Sequence, residues 1–189
     1  MSFTLQPGTG FVFMKVGVHA REPLKDILER KRKELADAGV SFWGYGGNTC
    51  HPTTKVQPFV RDLEEKGQDV YLCMHSMVSN HWAEPVRAEE YSEDGYTWKK
   101  VPPEINVRGS RYALVLNSLD DANFVLPLNQ TKVGIGVQQG RTGVEYIQGR
   151  VDKACLTYEG TALPAAVENR VLNIEIAAKF SKPYAVMLR

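Results

Sequence analysis

The stretch Phe42-Trp43-Gly44-Tyr45-Gly46-Gly47-Asn48-Thr49-Cys50-His51-Pro52 constrains this chain more than any other part of it. Its three glycines have no side chain to pack and cost backbone entropy in a regular element. Glycine belongs where the backbone turns sharply or where another group must come close. Large aromatic rings beside such a turn offer flat faces to a planar ligand. The stretch therefore reads as a strand running into a turn that walls a pocket.

The apolar periodicity around it sets the fold class. Gly10 to Val18 alternates Phe11 and Phe13 against Val12, Met14, Val16 and Val18, the period of a strand. A helix follows, opened by Pro23, with Leu24, Ile27, Leu28 and Leu35 on one face and Gly39 at its end. Its charged run Glu29 to Glu34 reads as a solvated face. Val40 to Tyr45 is the next strand. Thr53 or Thr54 is placed to cap a second helix that buries Val56, Phe59, Val60 and Leu63 and stops at Gly67.

Asp69 to His75 is the clearest strand, with Val70, Leu72 and Met74 on one face and Tyr71, Cys73 and His75 on the other. Further strands are expected at Ile105 to Val107, Arg111 to Leu116, Phe124 to Leu128, Val151 to Tyr158 and Tyr184 to Leu188, and a turn at Asp94-Gly95. Gly134 to Gly143 reads as a loop. From Pro164, the residues Val167, Val171, Ile174 and Ala178 fall at helical spacing, while the β-branched content favours a strand, so both readings stay open. The sum is an α+β chain: a mixed, mostly antiparallel sheet or small PUA-like barrel with two or three flanking helices. The 189 residues suit a single domain spanning 1–189, with 1–9 a loose lead-in.

Bulk properties exclude several classes. The formal net charge of +1 provides no global field toward nucleic acid or a membrane. No apolar window approaches the length of a membrane span, and no basic-then-apolar leader is visible, so a soluble protein without membrane contact is expected. Three widely spaced cysteines, Cys50, Cys73 and Cys155, do not form a disulfide framework and suit a reducing cytoplasm.

Chemistry-bearing residues concentrate between positions 43 and 82. Trp43, Tyr45 and Trp82 can stack on a flat ring. Gly46 and Gly47 allow close approach, and Asn48, Thr49, His75, Ser76 and Asn80 can read a base edge or ribose hydroxyls. Arg108 or Arg111 can meet a phosphate. An alternative is a hydrolase or transferase acting on a nucleotide-like substrate through Cys50, His51, His75 or His81. A third is a protein-interaction module whose aromatics dock a partner chain. No Cys-x-x-Cys or His-x-x-x-His pair supports a metal site. No metal and no cofactor is expected.

Trp43 before a helix, then Gly67-Gln68-Asp69 leading into an apolar strand that ends in His75-Ser76, resembles the corresponding part of EVE-domain proteins of the PUA-like superfamily. The resemblance covers roughly residues 40 to 80. Gln68 is inserted between the Gly and the Asp, and Tyr45-Gly46-Gly47 and Cys50-His51-Pro52 depart from the pattern. The resemblance implies a small twisted barrel with a pocket for a modified or flipped base, and no catalysis. Together with the residues, this favours a non-catalytic protein that binds a nucleotide or a modified nucleobase, with nucleic acid a possible partner.

Overall fold

The computed structural model describes residues 3–46, 49–148, 151–164 and 170–189; the side chains of Ser79, Asn80 and His81 also lie outside the described set. The chain runs β1 (Gly10–His19), α1 (Leu24–Ala38), β2 (Ser41–Tyr45), α2 (Gln57–Glu65), β3 (Val70–His81), β4 (Glu90–Ser92), β5 (Trp98–Lys100), β6 (Tyr112–Leu116), β7 (Asp120–Pro127), β8 (Thr131–Val133), α3 (Gly143–Tyr146), β9 (Lys153–Tyr158) and β10 (Val171–Leu188). A π-helical turn, Pro52–Val56, leads directly into α2.

The strands form one mixed sheet in the order β2-β6-β10-β3-β1-β9-β8, with β7 and β4 also paired to β10 and β5 to β4. Only β1 and β3 are parallel among the described pairs; the rest are antiparallel. The expected α+β class is what the chain adopts. The sheet does not close, so the barrel version is not realised.

Alternation sorts the core as the sequence indicated. Val12, Val16, Val70, Leu72 and Met74 meet Ile27, Phe59 and Val60 on the helix-covered face. Phe11, Phe13, Tyr71 and Cys73 face the other way, against Leu126, Leu128, Val144 and Ile174. A third cluster joins Phe42, Val115 and Val186 to Ile105 and Val107.

Several expectations are corrected. The segment after Arg170 is no helix: Val171–Leu188 is a single strand, because Leu172, Ile174 and Ile176 pair edge to edge with β7 and leave no free face for a helix to bury. Residues 165–169, including Val167, lie outside the described set. Ile105 to Val107 is buried but not a strand; Ile105 N–H bonds back to Pro102 and Asn106 N–H to the Glu34 carboxylate. Thr53 and Thr54 cap nothing, since the π-helical turn reaches back to His51, whose carbonyl accepts from Lys55 and Val56. The stretch 134–143 ends in α3, capped by the Thr142 hydroxyl, which accepts from Glu145 N–H.

The charged run on α1 is the sharpest difference. Lys31 and Glu34 are both only 2% exposed. Lys31 Nζ lies 3.0 Å from each Glu34 oxygen and 3.0 Å from the Asn106 carbonyl, while Ser41 Oγ donates to Glu34 at 2.6 Å. Arg30 forks onto Glu22 at 3.0 and 2.5 Å and also reaches the Asn106 carbonyl. The segment through Asn106 thus helps to bury Lys31 and Glu34. Burial pulls the Lys31 ammonium down to about 8, with Glu34 opposing the shift. Burial raises the Glu22 carboxyl, yet the Arg30 guanidinium outweighs it and holds the group below its ordinary value.

Candidate functional site

A cavity of about 980 Å³ opens between the end of β1, the first turns of α1, β2 with its following turn, the segment 107–112 and the start of β9. That size is at the upper end of ordinary ligand sites.

The aromatic–glycine stretch forms one wall. Trp43 sits on β2 opposite Leu114 and is 4% exposed, one flank packed in the core and its edge on the cavity. Gly44 is needed for a close approach, because a Cβ there would lie 2.6 Å from Ser110 Oγ. Tyr45 is fully buried and acts as an anchor: its hydroxyl donates to the Cys50 carbonyl at 2.8 Å and holds the turn against the strand. Burial pushes the Tyr45 phenol far up, so it stays a donor. Gly46, Thr49 and His51 also line the cavity. His51 Nε2 lies 3.2 Å from the Tyr112 hydroxyl and its Nδ1 3.2 Å from Thr53 Oγ1, with the His51 and Tyr112 rings edge to face at 5.0 Å.

Cations dominate the remaining walls. Lys15, Arg30, Lys31, Arg108, Arg111 and Lys153 line the cavity, against Asp152 as the one carboxylate among the described lining residues. Arg30 and Lys31 are committed to Glu22 and Glu34. Lys153 lies 3.5 Å from Asp152 and 5.0 Å above the Tyr45 ring. Arg108 Nε donates to the Asn106 side chain at 3.1 Å. Lys15 and Arg111 form no ion pair among the described residues. His19 lies deeper, its Nε2 donating to the Arg108 carbonyl at 3.1 Å, with Ser110 Oγ 3.3 Å away. The arrangement presents unneutralised positive charge beside an indole and a phenol. It suits an anion joined to a flat ring.

Only part of the residue set expected from sequence converges here. Trp43, Gly46 and Thr49 do, and Tyr45 supports them from behind. His75 projects on the far face of the sheet, where its Nδ1 meets the Asn173 carbonyl at 2.9 Å, and the Ser76 N–H donates to Glu175 at 2.9 Å. Trp82 is 66% exposed, with the Arg21 guanidinium 4.4 Å from its ring centre, outside the cavity. Gly47, Asn48 and the side chains of Asn80 and His81 lie outside the described residues.

The alternative catalytic set is likewise divided. Cys50 and His51 sit on the cavity side and His75 on the other, the His81 side chain lies outside the described set, and the Cys50 sulfur meets Cys155 at 3.2 Å. Among the described residues no group of His, Cys, Asp and Glu side chains is arranged to hold a metal ion. Sequence reasoning missed Lys15, Lys153 and Tyr112, which arrive from three separate strands. It named Arg108 and Arg111.

A shallower groove of about 540 Å³ runs over Leu24, Leu28 and Arg32 on the outside of α1, bridged by the Arg32–Asp121 ion pair. It has neither aromatic wall nor cation cluster. No described helix is long and apolar enough to cross a membrane. No family model, no curated protein and no solved structure matches the chain.

Proposed function

We propose that this protein binds, without transforming, an anionic ligand built on a nucleobase: a nucleotide, or a modified base offered with its phosphate. The observation that carries the reading is the pairing of Trp43 and Tyr112 with Lys15, Arg108, Arg111 and Lys153 around one cavity. An apolar aromatic edge packs against any base, and a cluster of cations in a recess attracts phosphate far more strongly than exposed charges do. The near-neutral charge of the whole chain favours a small nucleotide over a long nucleic acid, whose affinity rests on many phosphate contacts.

Calorimetric titration with AMP, GMP, CMP and UMP at low salt tests the reading, with the matching nucleosides as controls. At least one nucleotide should bind, its nucleoside should bind more weakly, and Trp43→Leu should lose the interaction while unfolding cooperatively. Absence of heat with every nucleotide, together with no shift of a single-stranded oligonucleotide, would remove the proposal.

A further inference from the structure

We propose that Cys50 and Cys155 form a redox-active thiol pair, which a hydroperoxide converts into an intramolecular disulfide. The two residues are 105 positions apart in sequence, yet their sulfurs lie 3.2 Å from each other. One sits on the turn after β2, the other in the middle of β9. Both are free thiols here, and both are buried. A disulfide needs a sulfur separation of about 2 Å, so closing the bond asks for a movement of only about 1 Å.

The pair is chemically asymmetric. Contact with the Cys155 thiol favours the Cys50 thiolate; burial opposes this, while Lys55 and Lys153 assist. Burial holds Cys155 well above the ordinary thiol range, so it keeps its proton. With Thr49 and His51 lining the cavity on either side of it, Cys50 is the attacking sulfur and Cys155 the resolving one. Cys50 also adopts a left-handed backbone, φ 51°, which L side chains reach only at a cost. Its neighbours Thr49 and His51 line the cavity, as does Lys153, two positions before Cys155. A small solute entering the cavity thus comes within one residue of Cys50. Cys73 is an internal control: wholly buried on the opposite face, it has no second thiol in its cluster, and burial alone pushes its thiol up.

The electron balance is complete with the peroxide as oxidant. The Cys50 thiolate attacks one peroxide oxygen, the S–O bond forms, the O–O bond breaks, and the departing oxygen leaves protonated as water or alcohol. The Cys155 sulfur then attacks the Cys50 sulfenic acid. The S–S bond forms, the S–O bond breaks, and hydroxide leaves with the Cys155 proton as water. Two thiols lose two electrons and two protons, and the peroxide is reduced to two hydroxyl products.

The test is treatment of the full chain with hydrogen peroxide, unfolding in N-ethylmaleimide, and mass spectrometry without reductant. The expected product has lost two hydrogens, carries one maleimide, at Cys73, and yields linked peptides containing Cys50 and Cys155. Dithiothreitol should restore three maleimide sites, and Cys73→Ser should form the same cross-link. Three maleimides after peroxide would overturn the proposal. So would a link that includes Cys73, or a sulfinic acid at Cys50 beside a still-free Cys155. Because the wild-type map decides among these, the result does not depend on any variant folding, nor on whether the cavity binds nucleotides.

Discussion

The two faces of the central sheet are built to opposite specifications. Behind Phe11, Phe13, Tyr71 and Cys73, the chain from β7 through α3 closes down on an apolar layer of Leu126, Leu128, Val133, Val144 and Ile174. On the other face, α1 brings a buried lysine and glutamate to the sheet, and the packing stops short of filling the space beyond Trp43. Apolar packing is non-directional and stabilises in proportion to area, so the closed face can be solid. Fixed charges need partners at defined angles, and arranging those partners leaves room. Both faces hold the fold together, the larger apolar cluster lying on the helix-covered side. The second gives up part of that packing to keep a charged recess.

The largest contrast should come from the closed face. Phe13 is fully buried there, and Phe13→Ala should lower stability by about 4 kcal/mol in urea unfolding while leaving nucleotide affinity intact if the domain stays folded. Loss of binding without loss of stability would break the division of labour between the faces.

A smaller effect is expected from the ion pair on the recessed face. Lys31→Met leaves Glu34 buried without its ammonium and should cost about 3 kcal/mol at pH 7. The pH dependence sharpens this. The folded ammonium titrates near 8 and the unfolded one at about 10.4, so between those values the unfolded chain holds the extra proton. Wild-type stability should therefore rise from pH 8 to pH 10 relative to Lys31→Met, by up to about 1.4 kcal/mol per unit. A constant difference across that window would mean that Lys31 keeps its proton.

The smallest stability effect should come from the cavity rim. Arg111 is exposed, and Arg111→Glu should shift unfolding by less than about 0.5 kcal/mol. Nucleotide affinity should nonetheless fall about tenfold or more, read by calorimetry, if the side chain meets the phosphate. Equal affinity would remove Arg111 from the site.

How much of this was legible in the sequence follows from the range of each signal. The alternation from Val70 to His75 places each side chain on the face where the structure has it, because a strand's period is set locally. That same alternation sets His75 opposite Trp43, with the sheet between them, a consequence visible only once β2 and β3 are known to share one sheet. The hairpin at Asp94-Gly95 was equally local: the Asp94 carboxylate accepts the N–H groups of Tyr96 and Thr97, both at 2.7 Å, and Gly95 takes φ 82°.

Burial of Lys31 and Glu34 was not legible, since it depends on Asn106 and Ser41 arriving from elsewhere. Val171, Ile174 and Ala178 fit a helical period by spacing alone, and only the pairing partners of β10 settle them as strand. At the site, the glycines announced the turn and Trp43 announced the wall. The opposing cations Lys15 and Lys153 carried no local mark, and neither did the meeting of Cys50 with Cys155.

The long last strand has a consequence for the order of events during synthesis. β10 pairs with β3 and β7 through its first half and with β6 and β4 through its second. All four partners leave the ribosome before it does. Until Val171 and the residues after it emerge, the two halves of the sheet have no common member, and the edges of β3 and β6 wait unpaired. The joining of the two halves of this sheet thus waits on β10. The nascent chain must keep its half-built edges from one another, and from neighbouring chains, until that strand is delivered.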